Sequence, residues 1–143
     1  MGQVHDDSCV AACVRMLVAD EGIEQPEAYL RDLLKTEKGT FLSRVPDVLQ
    51  TLRLSQRFIY RRDLQFTELQ RATEQGAAIA YLAKLDEETG HAVIVETITD
   101  EWVFIRDPLP AGTGRSYRVR IADFLKNWLI ENSDRGRAVI VLE

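Results

Sequence analysis

Gln3-Val4-His5-Asp6-Asp7-Ser8-Cys9-Val10-Ala11-Ala12-Cys13 opens this chain of 143 residues. It sets one amide, then a run of helix-capping residues, then a cysteine at the head of an apolar stretch. Ser8 or Asp7 suits the N-cap of a helix from about Cys9 to Glu21, with Val10, Cys13, Val14, Leu17 and Val18 at helical spacing and Gly22 as its stop. A thiol in that position is a small buried hydrophobe, a metal ligand or a nucleophile, and the rest of the chain must decide.

Working outward, three more helices are expected. Pro26 fits the first turn of the second, whose buried stripe is Tyr29, Leu30, Leu33 and Leu34, with Gly39 at its end. Ser43 caps a third through Val45, Val48, Leu49 and Leu52. Phe58-Ile59-Tyr60 is a short extended piece, and a fourth helix runs from about Phe66 to Glu74. Beyond Gly76 the period changes. Ala77 to Leu82, His91 to Thr97 and Trp102 to Asp107 read as strands, the last two joined by a turn near Thr99-Asp100. Pro108 to Gly114 is a loop, Ser116 to Arg120 a strand, Ile121 to Ile130 an amphipathic helix and Ala138 to Leu142 a last strand. Helices first and a mostly antiparallel sheet after them give an α+β class. The expectation is one domain over 1–143, with a helical lobe over about 1–76 and a sheet lobe over about 77–143.

Composition excludes several classes. A chain with 45% hydrophobic and 29% charged residues is that of a globular protein, long enough to need neither disulfide nor metal for a core. The net charge of −5 argues against nucleic acid and anionic membrane as partners; Arg57, Arg61 and Arg62, between acidic segments, read as a solvated face. No apolar run approaches a membrane span and no signal peptide is visible. Cys9 and Cys13, four residues apart, are no secretory disulfide framework, so reduced thiols in a cytosol are the default. Interesting residues so close to Met1 suggest a compact enzyme or a domain excised from a longer chain.

The hairpin offers a geometric test. A turn centred near residue 99 pairs His91 with Asp107, Val93 with Ile105 and Val95 with Val103. The inner pairs are apolar, and the outer one sets a histidine opposite a carboxylate, with Cβ atoms roughly 4.5–5.5 Å apart. A carboxylate that accepts the Nδ1 proton fixes the tautomer of the ring and stabilises its imidazolium. Cys9, with its pKa lowered by the helix N-terminus and by a neighbouring His⁺, supplies the nucleophile. Asp6 and Asp7 would oppose that if they lay near the sulfur. Acyl transfer also needs oxyanion donors, and the Cys9 backbone N–H and the Gln3 amide are the candidates.

Gln3, five intervening residues, Cys9 and an Ala/Cys-rich helix reaching Met16 resemble the opening of the bacteriocin-processing peptidases. These are papain-fold enzymes that cut double-glycine leader peptides. Gly90-His91-Ala92-Val93-Ile94-Val95 and Ile105-Arg106-Asp107-Pro108 are similar to the family's other two motifs. The resemblance implies Cys9 as nucleophile, His91 as general base, Asp107 as its orienter and Gln3 as oxyanion donor. It also implies a peptide or protein substrate and no cofactor. Ser8 and Val10 depart from the usual Asp before and Gly after the cysteine, and the branched Val10 is expected to reshape the cleft. Similar domains also occur as toxin domains of secreted antibacterial effectors, blocked by a cognate immunity protein. That use would have the chain delivered into a target cell and acting in its cytoplasm.

Each residue has a plainer reading. Cys9 alone would be packing, Asp107 alone a turn residue before Pro108, and Gln3 alone nothing; the combination carries the argument. Cys13 reads as core and His5 as surface. Zinc held by His5, Cys9, Cys13 and His91 is the sharper alternative, although structural sites prefer closely spaced loop pairs. Trp102, Phe104 and Trp128 read as core; Glu96, Asp100 and Asp86-Glu87-Glu88 as solvated. The rivals to an endopeptidase are a catalytically silent peptide- or protein-binding module on the same fold, and a deamidase or acyltransferase using the same triad.

Overall fold

The structure is a computed structural model that describes residues 9–34, 44–54, 56–62, 64–83, 90–108, 114–128 and 139–142. Its elements run α1 (Cys9–Asp20), α2 (Glu27–Leu34), α3 (Val45–Thr51), β1 (Phe58–Arg61), α4 (Phe66–Gln75), β2 (Ala78–Ala83), β3 (Gly90–Ile98), β4 (Trp102–Asp107), β5 (Arg115–Arg120), α5 (Ile121–Trp128) and β6 (Val139–Leu142). The α+β class holds. Gly39, Ser43 and Asp86-Glu87-Glu88 lie outside the described residues.

One six-stranded sheet in the order β1-β6-β2-β3-β4-β5 is antiparallel throughout. Alternation along its strands feeds two cores. Ile79, Ala92, Ile94 and Ile140 face α1, α2 and α3. Ala78, Ala80, Val93, Val95, Val103, Ile105, Val139 and Val141 face α4 and α5, where Phe124 stacks on Trp128 at 5.6 Å between centroids. Each large side chain fully withdrawn from water contributes about 1.5–3 kcal/mol.

α1 is the central helix. Eight of its twelve residues are buried, more than the five-residue stripe its periodicity predicts, because the sheet covers one side and α2 and α3 the other. Ala11 and Ala12 leave room for that approach. The helix ends as expected: Gly22, at φ 82°, lets the N–H of Ile23 reach the Val18 carbonyl at 3.0 Å and that of Gly22 reach Ala19 at 3.0 Å. These are the two bonds of a Schellman cap. α3 closes in the same way with Arg53 at φ 58° in the left-handed position, Leu54 donating to Leu49 and Arg53 to Gln50.

Three packing expectations need correction. Leu30 and Leu34 are buried, but Tyr29 is 43% exposed, since α2 meets α1 along a narrow strip. Phe104 and Trp102 are half-buried rather than core. Trp102 is instead covered by guanidinium groups from β5, Arg118 at 4.0 Å and Arg120 at 4.7 Å from its ring centroid. Val10 is 1% exposed and belongs to the core beneath α1. Its branching therefore packs the interior, in the cluster against which Cys9 also lies.

Candidate active site

Cys9 is the first residue of α1 and the least buried member of the apolar run that follows it. A helix start leaves its first N–H groups without intrahelical partners and places the positive end of the dipole at the sulfur. α1 packs across β3, and Cys9 meets that strand at its first residues: the sulfur is hydrogen-bonded by the His91 ring and by the backbone N–H groups of Ala92 and Val10. Burial acts to raise the thiol's pKa, but these bonds and the charge of His91 outweigh it, and Cys9 titrates below its ordinary value.

His91 and Asp107 are both buried, and His91 Nε2 donates to Asp107 Oδ1 at 2.6 Å. They are not directly opposite one another. The hairpin turns around Asp100-Glu101, where the Thr99 N–H bonds the Trp102 carbonyl at 2.8 Å and the Thr99 hydroxyl accepts the Trp102 N–H at 3.0 Å. The pairs are therefore Ile98 with Val103, Val95 with Ile105 and Ile94 with Arg106. Glu96 is the extra residue of a bulge between Val95 and Thr97. On the site side of that bulge the strands are slipped by two residues relative to the expected register. A slip of two keeps every side chain on its face, so His91 and Asp107 meet as diagonal neighbours, within reach across an antiparallel pair. The nitrogen is also the other one: Nε2 carries the proton to Asp107, which leaves Nδ1 for Cys9.

Burial lowers the pKa of His91, but the hydrogen bonds and charges of Asp107 and Cys9 reverse this and push it up to about 9. With the thiol lowered and the imidazole raised, the thiolate–imidazolium pair occupies the interval between the two titrations. Cys13, one turn deeper, is fully buried, and burial holds its thiol well above its ordinary value. Two cysteines on one helix face are thus chemically unlike.

Two partners of the site were not foreseen. Tyr117 on β5 donates its hydroxyl to Asp107 Oδ2 at 2.7 Å. Arg106, on the opposite face of the sheet, holds Asp20 at the far end of α1 through two hydrogen bonds of 3.1 and 2.7 Å. It also pairs with Glu96, which is therefore engaged rather than merely solvated. Gln3 and His5 lie outside the described residues. Among the described residues no group of three or more His, Cys, Asp or Glu side chains could hold a metal ion. Nor is any described helix long and apolar enough to cross a membrane.

A thiolate at a helix start, paired to an imidazole that a buried carboxylate holds, can attack a carbonyl carbon and protonate the leaving group. Set on a helix packed against an antiparallel sheet, this defines the class of papain-like cysteine hydrolases. The chain belongs to the peptidase C39 family, whose model matches residues 1–132, and it is accordingly a cysteine peptidase of the kind that includes bacteriocin-processing enzymes. Solved structures share the fold. The peptidase domain of Streptococcus ComA, a bifunctional ABC transporter of a quorum-sensing pathway, is 22% identical with a TM-score of 0.78, over 99% of this chain and 95% of that one. A C39-like peptidase from Bacillus anthracis is 16% identical with a TM-score of 0.75, over 96% and 89%. A double-glycine motif protease from an AMS/PCAT transporter, in complex with a leader peptide, is 16% identical with a TM-score of 0.69, over 99% and 88%. No curated protein matches the sequence.

Proposed function

We propose that this chain is an endopeptidase that cleaves leader-type peptides through a Cys9–His91–Asp107 triad, with Gln3 as an oxyanion donor. The observation that carries the reading is the unbroken chain of contacts from the Cys9 sulfur through His91 to Asp107. The thiolate attacks the scissile carbonyl and its S–C bond forms. The Cys9 N–H and the Gln3 amide receive the oxyanion. As the C–N bond breaks, the imidazolium of His91 gives its proton to the leaving amine. Water, deprotonated by the now neutral imidazole, then cleaves the thioester and restores the thiol pair. Asp107 holds the ring throughout.

The leader-type substrate is supported by the leader peptide bound to the AMS/PCAT protease, a member of the same fold. Val10, where the family usually has glycine, is buried in the core, so this departure is compatible with a small-residue cleavage site. The test is cleavage of a panel of peptides with and without a double-glycine site, with new N-termini mapped for wild type and Cys9→Ala. Cleavage after the glycines by wild type alone is expected. Cys9-dependent cleavage elsewhere would overturn the substrate class. Slow, equal alkylation of Cys9 and Cys13, with no Cys9-dependent product, would overturn the enzyme.

A further inference from the structure

Asp107 is buried, and both of its oxygens are claimed: Oδ1 by His91 Nε2 at 2.6 Å and Oδ2 by the Tyr117 hydroxyl at 2.7 Å. β5 pairs with β4 so that Ile105 lies opposite Tyr117 and Asp107 opposite Arg115. Tyr117 thus reaches Asp107 along a diagonal on one side of β4, as His91 does on the other. The Arg115 guanidinium, 4.7 Å from the centroid of the Tyr117 ring, covers its outer face. The three groups form a row across three strands, and the row ends at Cys9. We infer that Tyr117 is a positioning residue that fixes the rotation of the Asp107 carboxylate, and thereby the tautomer and tilt of His91. This inference rests on the triad reading above.

The physical case is one of competing donors. A carboxylate on a short side chain turns about its last torsion, which is broad and weakly restrained. Each bond made to its second oxygen narrows that rotation, because a buried acceptor that loses a donor costs more than a hydrogen bond returns. The phenol supplies such a bond at 2.7 Å, and it does so without a charge. A cation in its place would compete with the imidazolium for the carboxylate's field. Tyr117 in turn is raised above its ordinary pKa by burial and by its bond to Asp107, so it remains a donor across the working range. Among the described residues, Asp107 on β4 and Cys9 on α1 act on His91, and Asp107 and Arg115 act on Tyr117.

The experiment measures the pH dependence of Cys9 alkylation by iodoacetamide, read peptide by peptide, in the full chain. Tyr117→Phe removes one oxygen and leaves the ring in place. It should move the basic limb down by roughly 0.5–1 pH unit and slow labelling about threefold to tenfold near pH 8. The sharper readout is a reversal of sign. In Asp107→Asn the amide has one oxygen, which the Tyr117 hydroxyl claims, turning the NH₂ toward His91 and fixing the wrong tautomer. Adding Tyr117→Phe frees the amide to turn its oxygen to His91, so the double variant should label several times faster than Asp107→Asn alone. The same fractional loss in both backgrounds, or an unmoved limb in Tyr117→Phe alone, overturns the assignment. His91→Ala separates the two claims. If it leaves Cys9 as reactive as in wild type, the triad itself fails; if it slows Cys9 while Tyr117→Phe does not, only the role of Tyr117 falls.

Discussion

Replacing Asp107 by asparagine removes the charge that holds His91 and leaves its shape. His91 is pushed up to about 9 from an ordinary value of 6.5 against the opposing effect of burial. The hydrogen bond to Asp107 is the largest of the effects that raise it, followed by the bond to Cys9 and the charges of Asp107 and Cys9. The full rise, 9 − 6.5 or about 2.5 units, corresponds to on the order of 3 kcal/mol of preference for the imidazolium. That is a ceiling for Asp107→Asn, since the thiolate stays. The sign is fixed by the direction of the shift. A raised histidine is charged below its folded value, so its contribution is complete below about pH 6.5 and disappears as the pH rises through about 9.

The reactive pair shares that window. Near pH 8 an imidazole titrating at about 9 is ~90% protonated, and one returned to 6.5 is ~3% protonated. Cys9 alkylation near pH 8 should therefore fall by up to ~30-fold in Asp107→Asn, with the basic limb displaced downward by at least one unit, while the rates converge toward pH 6. The assay is the alkylation rate of the Cys9 peptide against pH, with a thermal melt to confirm folding. A basic limb within ~0.3 unit of wild type, in a folded variant, would mean that Asp107 does not hold the charge of His91, and the electrostatic account would be wrong.

Two further outcomes follow from the same contacts. Arg106→Met breaks the paired bonds to Asp20 and the contact with Glu96; because Asp20 and Glu96 are nearly half exposed, the loss should be only about 1 kcal/mol, seen as a lowered midpoint of chemical denaturation. Cys13→Ala deletes a fully buried sulfur and should cost about 1–2 kcal/mol in the same measurement, with Cys9 alkylation unchanged across pH. A change in the Cys9 profile would show that Cys13 belongs to the site rather than to the core.

Which residues could meet was legible from period and face, and how they meet was not. Alternation placed His91, Val93 and Val95 on one face with Val103, Ile105 and Asp107, and the structure keeps them there. The register depended on a turn whose centre moved from Thr99-Asp100 to Asp100-Glu101, and on a bulge at Glu96 that no residue type announces. At the site the difference was two residues, an even slip, which leaves faces intact. Tyr117 was out of reach for another reason. In Arg115-Ser116-Tyr117-Arg118-Val119-Arg120 the alternation marks Tyr117 and Val119 as the inward pair, but Tyr117 matters only once β5 is known to lie beside β4. Trp102 misled because an aromatic ring reads as core, whereas arginines on a neighbouring strand can cover it equally well. The placing of β6 between β1 and β2 brings the last strand back to two from the middle of the sequence, and no local pattern encodes so distant a pairing.

The two neighbours Arg106 and Asp107 tie the thiol to the core. Successive residues of a strand point to opposite faces. Arg106 goes to the α1 side and fastens the last residue of that helix through Asp20. Asp107 goes to the other side and holds His91, which closes on the first residue, Cys9. One hairpin therefore fixes both ends of a helix whose middle is buried on nearly every side. The helix can neither slide nor roll without breaking one of these contacts or opening the interior around Ala11, Val14 and Val18. The geometry of thiol and base is thus a property of packing.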